Sequence, residues 1–265
     1  ANSEDKSAIP SLLPIDAALR RLERLLLRDT APPASSSSAS DPVGSSTVPV
    51  TAEYVATTGG GARAVRRFLS HPFAAAARTY ADTKGPSAVA ECMDRLLPGR
   101  PSISWVRDSG ARMSSAMQMD GPVDAANSSD EPPSEQPNPI ALSVVSEAEA
   151  YLLGLAVHSL WRSGEHASAL ELSAKAVACV SSALGTDVRT GHSLSPLLGR
   201  LYRYRSLAAS GLGMSEVASV DGLHREHAVA HRMACLRNDK ECQATLLNLM
   251  LQYLLSKNLG EFPCL

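Results

Sequence analysis

The C-terminal half of the chain repeats apolar residues at the spacing of α-helices. Residues Glu147 to Arg162 are apolar almost all round, a pattern that a helix adopts when neighbours cover two of its sides. Ser146 is its predicted N-cap, and Glu147 and Glu149 are interpreted as favourable partners of the helix dipole. After a turn at Ser163-Gly164-Glu165, a continuous apolar stripe resumes from Ala167 to Leu184. The pattern therefore predicts an antiparallel helical hairpin.

A second hairpin and a fifth helix follow. The second hairpin joins Leu197 to Leu212 with Ser215 to Arg237, and Gly185 to Ser195 is predicted to connect it to the first. The fifth helix, Glu241 to Lys257, is predicted to group five side chains on one face: Leu246, Leu247, Met250, Tyr253 and Leu254. Helix pairs that recur about every 45 residues, each unable to bury both faces alone, predict an α-solenoid. The predicted fold class is therefore all-α, built of antiparallel helix pairs.

The N-terminal part predicts one amphipathic helix and several short ones. Residues Ile15 to Arg28 place leucines on one stripe and arginines around the rest. Because this helix lacks the aromatic anchors of membrane-surface helices, we expect it to dock on its own domain, with a partner subunit as the alternative. Proline and glycine breaks divide the next segment into short helices, predicted at Arg63 to Ser70, Phe73 to Asp82 and Ser87 to Leu97.

Two segments have the composition of disordered linkers. Residues 31–50 contain seven Ser and four Pro, and residues 120–139 contain five Pro and five acidic residues but no aromatic residue. Such segments bury too little apolar area to offset the entropy of an ordered chain. The sequence therefore predicts an N-terminal amphipathic helix (1–30), a Ser/Pro/Gly-rich linker (31–61), a helical segment (62–119), an acidic Pro-rich linker (120–143) and a helical-repeat region (144–265).

Composition narrows the range of partners. Lys plus Arg at 25 against Asp plus Glu at 27 gives a net charge of -2, which provides no basic field for nucleic acid or anionic lipid. The five cysteines include no CxxC pair, which is typical of reduced intracellular thiols. Neither a secretory signal nor a membrane-spanning apolar run is recognisable. We therefore expect an intracellular, soluble protein with no nucleic-acid and no membrane partner.

One constellation contains residue types that bind metals. His224, His227, His231 and Cys235 are spaced by three, four and four residues, which places them on one face of a helix. Two imidazoles one turn apart can share a zinc ion, but no HExxH spacing supplies a general base. The run Gly59-Gly60-Gly61 lacks the Gly-Lys-Ser/Thr of a phosphate-binding loop. We therefore predict no catalytic residue, no metal site, no cofactor and no small-molecule substrate, with a zinc-dependent enzyme as the lesser alternative.

The last helix raises the question of what covers it. In a solenoid it would be the first half of a third pair, and Asn258 to Leu265 is too short to supply the second half. A truncated gene model or a frameshifted end is the expected explanation. Leu251, Leu255 and Leu259 are then candidate interface residues because they would lie open to solvent. Three aromatic residues belong either to an interface or to the core: Trp161, Tyr202 and Tyr204.

Three stretches resemble the 26S proteasome non-ATPase regulatory subunit 3 family, a lid component of the 19S regulatory particle. They are EAEAYLLGLAVHSLWRSGEHASALELSAKAV (Glu147 to Val177), LYRYRSLAASG (Leu201 to Gly211) and LRNDKECQATLLNLMLQYLLSKNL (Leu236 to Leu259). The QATLLNL core of the third stretch is the most specific. The resemblance covers residues 144–259 and implies TPR-like repeats that lead, in the family, into further helix pairs and a PCI module. We expect this chain to lack the PCI module.

The resemblance implies a non-catalytic function. It implies a structural and regulatory subunit of the proteasome lid, which contacts other lid subunits and supports ubiquitin-dependent protein degradation in the cytoplasm and nucleus. The alternative is a free-standing TPR-like adaptor that binds peptide tails in its groove, and this alternative predicts a finished C-terminal capping helix.

Overall fold

The computed structural model describes residues 14–30, 61–117, 144–184, 188–212 and 217–261, and every regular element in these ranges is an α-helix. The helices are α1 (Pro14–Thr30), α2 (61–69), α3 (Pro72–Lys84), α4 (Pro86–Leu96), α5 (Ser102–Met117), α6 (Val145–Arg162), α7 (His166–Ala183), α8 (Val188–Gly211), α9 (Val217–Leu236) and α10 (Lys240–Glu261). Residues 31–60 of the predicted linker 31–61, the predicted linker 120–143 and residues 262–265 lie outside the described residues, whereas Gly61 is the first residue of α2. The division into domains stays a prediction.

The helices stack on one another, but α9 packs chiefly against α10 and only slightly against α8, so the predicted second hairpin of Leu197 to Leu212 with Ser215 to Arg237 is wrong in its pairing. α6 packs against α7, both pack against α8, and α10 packs against α8 and α9. On the other side, α4 and α5 pack against each other and against α6. Because α6 also contacts α3, most of its residues are buried, which is the environment predicted for a helix that is apolar all round. The α-solenoid class is confirmed, and none of the described helices is long and apolar enough to cross a membrane.

α1 docks on the body of the protein through its leucine stripe. Ile15, Leu19 and Leu22 are fully buried, and α1 packs against α3. This confirms the expectation that the amphipathic helix covers its own chain.

Prolines and a glycine set the boundaries of α3 and α4. Pro72 and Pro86 are the first residues of these helices, where the missing N–H removes no helical hydrogen bond. Gly85 separates the helices with a φ of 79°, a conformation that favours glycine. The Nδ1 atom of His71 accepts a hydrogen bond from the backbone N–H of Phe73 at 3.3 Å and so caps α3. The predicted breaks at Pro72 and Gly85-Pro86 are confirmed.

The apolar pattern does not predict α5. This helix is rich in serine and includes Gly110, so its apolar stripe is short and rests on Ile103 and Val106. A Cβ atom at position 110 would lie 2.8 Å from Ser87 Oγ of α4. Glycine therefore permits the close approach of α4 and α5 that holds a weakly patterned helix in place.

α8 begins earlier than predicted. The sequence pattern places a connection at Gly185 to Ser195, but the helix runs from Val188 and includes Pro196 in its interior. A proline inside a helix costs roughly 3 kcal/mol. Burial of Leu194, together with hydrogen bonds from Ser193 and Ser195 to carboxylates on neighbouring elements, offsets this cost. Tertiary contacts therefore override the local helix-breaking signal.

The start of α6 differs from the predicted N-cap. Val144 is the capping residue and its side chain makes no capping hydrogen bond, so the assignment of Ser146 as N-cap is wrong. Glu147 lies in the first turn of α6, as its interpretation as a partner of the helix dipole expects, whereas Glu149 lies beyond that turn. Both carboxylates are buried and have partners on other helices.

The two buried glutamates tie α6 to its neighbours. Glu149 accepts a hydrogen bond of 2.5 Å from Ser102 Oγ of α5 and lies 3.7 Å from Arg100. Glu147 accepts a hydrogen bond from Ser193 Oγ of α8. Because buried carboxylates are costly without partners, these contacts fix which helices pack against α6.

Candidate protein-interaction site

α10 presents a stripe of exposed leucines. Leu247, Leu251, Leu254 and Leu255 follow the spacing i, i+4, i+7 and i+8, and each is between 45% and 60% exposed. We call these four residues the α10 leucine face. Contiguous exposed apolar surface is typical of protein-interaction sites.

The buried face of α10 differs in part from the predicted one. Leu246 is fully buried, and Met250 and Tyr253 are partly buried, as expected. Leu247 and Leu254 were predicted on the same face, and this is wrong because both are exposed. α10 is apolar on several sides, so its periodicity cannot select the face that meets α8 and α9.

Specific contacts position α10 on α8. Asp239 caps α10 by accepting a hydrogen bond of 3.0 Å from the backbone N–H of Cys242, and it accepts another from Ser195 Oγ of α8. A Cβ atom at Gly199 of α8 would lie 3.2 Å from Thr245 Oγ1 of α10. The cap and the close approach hold the helix against α8 while the leucine face points away from it.

The other candidate interface residues have different environments. Tyr202 is 5% exposed, which matches the core alternative. Trp161 and Tyr204 are partly buried and pack around the imidazole of His158, with ring centroids 5.9 and 5.2 Å from it. The side chain of Leu259 lies outside the described residues. An interface role for these residues stays a prediction.

The four candidate metal ligands, His224, His227, His231 and Cys235, lie on α9, and their side chains contact different residues. The His224 ring stacks on Tyr253 with centroids 4.4 Å apart, and His227 is buried. Burial lowers the pKa of His227 to about 4. Cys235 Sγ lies 3.8 Å from His231 Nδ1. Within the described ranges, no three His, Cys, Asp or Glu side chains converge as a metal site would require.

The stacked helix pairs and the exposed leucine face define a class, the helical-repeat proteins that bind other proteins through stacked helices. A family model described as PSMD3-like, N-terminal TPR repeats, matches residues 96–261. The match covers more than half of the chain, so the chain belongs to this PSMD3-like family. The family resemblance is thereby confirmed, and the match begins upstream of residues 144–259, at the last residue of α4. No curated protein and no solved structure was found to match.

Proposed function

We propose that this chain is a non-catalytic structural subunit of the proteasome lid. It acts in the cytoplasm and nucleus, holds other lid subunits through its helical repeats and thereby supports ubiquitin-dependent protein degradation. Membership of the PSMD3-like family supports the lid assignment, and the α10 leucine face is the structural observation that carries the proposal.

The α10 leucine face has the properties of an interface between helices. Burying a leucine side chain contributes roughly 1.5–3 kcal/mol. A partner that covers these four half-exposed leucines would therefore gain a large favourable free energy of binding. Their spacing forms one ridge along α10, which fits the groove between two helices of a partner. A partner subunit that supplies such a groove would continue the stacking of α8, α9 and α10.

Affinity purification tests this proposal. The chain is tagged at its N-terminus in its own cells, and the proteins that co-purify are identified by mass spectrometry against a tag-only control. We expect lid subunits to be enriched with the chain. Purification of the chain without enrichment of any lid subunit would overturn the proposal.

A further inference from the structure

A groove of about 600 Å³ runs between α2, α8 and α10. Gly199 of α8 and Thr245 of α10 meet at the groove, and Asn248 and Gln252 line it one turn apart along α10. Carboxamide groups both donate and accept hydrogen bonds, as the backbone of a bound peptide requires. The lining is therefore suited to a polar chain segment.

Arginines dominate the charge of the groove. Arg66, Arg200 and Arg203 line it, and Glu241 is the one carboxylate among its described lining residues. Arg66 Nη2 lies 3.1 Å from Glu241 Oε1, which joins α2 to α10 by an ion pair. Within the part of the chain that the structure describes, Arg200 and Arg203 form no ion pair. The groove thus carries an excess of positive charge.

Arg200 is the most buried of the three groove arginines. It also lines a smaller recess next to the groove, together with Arg78 of α3 and Tyr204. Burial lowers the pKa of Arg200, and the like charge of Arg78 lowers it as well, while Tyr204, which hydrogen-bonds to Arg200, raises it. A guanidinium that has lost much of its water and faces another guanidinium is costly, and a bound anion offsets that cost.

We propose that this groove binds an acidic peptide segment of another protein, whose carboxylates pair with Arg200 and Arg203. Asn248 and Gln252 hydrogen-bond to the backbone of the same segment. Charge complementarity favours this occupant, because the guanidinium fork matches a carboxylate in geometry as well as in charge. Nucleic acid fits less well, because the net charge is -2 and no aromatic ring for base stacking is among the described lining residues. The inference goes beyond the lid function and does not depend on the α10 leucine face.

Fluorescence anisotropy tests the proposal on the full chain. The probe is a short fluorescein-labelled peptide of alternating glutamate and serine, and the matched peptide has glutamine in place of glutamate. We expect the acidic peptide to bind and the glutamine peptide not to bind. Arg203→Gln should weaken binding about tenfold, because one charge-assisted pair is lost. Arg203 is exposed, so this variant should keep the fold.

Two further variants complete the design. Arg232→Gln makes the same change of charge at an exposed site on α9 outside the groove, and it should bind like the wild type. Arg200→Gln, with its fold checked by circular dichroism, should weaken binding at least as much as Arg203→Gln. The proposal is overturned if the wild type does not bind the acidic peptide, or if Arg203→Gln and Arg232→Gln bind it equally. Tighter binding of a single-stranded oligonucleotide of matched charge would also overturn it, in favour of nucleic acid.

Discussion

Arg95 Nη2 of α4 donates hydrogen bonds to both carboxylate oxygens of Asp16 of α1, at 2.9 and 2.7 Å. Asp16 is 5% exposed, and the Cys92 thiol donates to the same carboxylate at 3.1 Å. The burial and the adjacent Asp16 carboxylate raise the pKa of Cys92 to about 12, which keeps the thiol protonated as a donor. This cluster joins α1 to α4 through Asp16 and Arg95, which are 79 residues apart in the chain.

Loss of the Arg95 guanidinium should destabilise the protein. Arg95→Gln leaves a buried carboxylate without its cation, and we expect the free energy of unfolding to fall by about 2–3 kcal/mol in urea titrations. Arg107→Gln is the control, because Arg107 forms an ion pair of 3.2 Å with Asp94 in which both side chains are exposed. An exposed pair contributes little to stability. Equal unfolding midpoints for the two variants would contradict a stabilising role of the buried pair.

The hydrogen bond between Ser102 and Glu149 should also contribute to stability. Ser102→Ala removes the donor at 2.5 Å and leaves the buried carboxylate with Arg100 at 3.7 Å. We expect a loss of about 1–2 kcal/mol in the free energy of unfolding. Ser104→Ala is the matched control, because Ser104 is exposed and its hydroxyl donates to the backbone carbonyl oxygen of Pro101. If Ser102→Ala is no less stable than Ser104→Ala, the hydrogen bond from Ser102 to Glu149 does not contribute to the free energy of unfolding.

Acidification should destabilise the protein through His227. Burial, Arg205 and His224 lower its folded pKa from 6.5 to about 4. Between these two values the unfolded chain binds a proton that the folded protein excludes, so stability decreases as the pH falls through this window. The full contribution is roughly 3 kcal/mol.

A buried apolar residue at this position should remove that pH dependence. We expect His227→Leu to show a smaller drop in unfolding free energy than the wild type between about pH 7 and about pH 4.5. His227→Gln, which keeps a polar side chain near Ser206 Oγ, should show the same smaller drop. An unchanged pH dependence in both variants would exclude His227 as its source.

The sequence predicts what depends on local patterns and misses what depends on distant partners. The all-round apolar character of α6 indicates a central helix, and Pro72 and Pro86 indicate helix starts. The helical residues before Pro196 could not be predicted, because their stability comes from carboxylates on other elements.

The candidate site shows the same limit. The leucine-rich sequence of α10 places apolar residues on more than one side of the helix, but it does not show which side packs against α8. The close approach of Gly199 to Thr245 and the cap at Asp239 decide this orientation. The groove arginines were missed because they come from helices far apart in the chain, as Arg66 and Arg203 illustrate.

The most direct test of the scaffold function is the amount of lid subunits recovered with a variant of the α10 leucine face. In Leu251→Glu/Leu255→Glu, two exposed apolar side chains become charged, while the buried side of α10 is unchanged. Phe73→Glu on α3 is the control, because Phe73 is also an exposed large apolar residue.

Quantitative mass spectrometry of the tagged chains gives the ratio of lid subunits to chain. We predict that the double variant keeps the wild-type melting temperature but recovers lid subunits at least about tenfold less than the wild type and Phe73→Glu. Recovery of lid subunits at the wild-type ratio by a folded double variant would contradict the α10 leucine face as the interface.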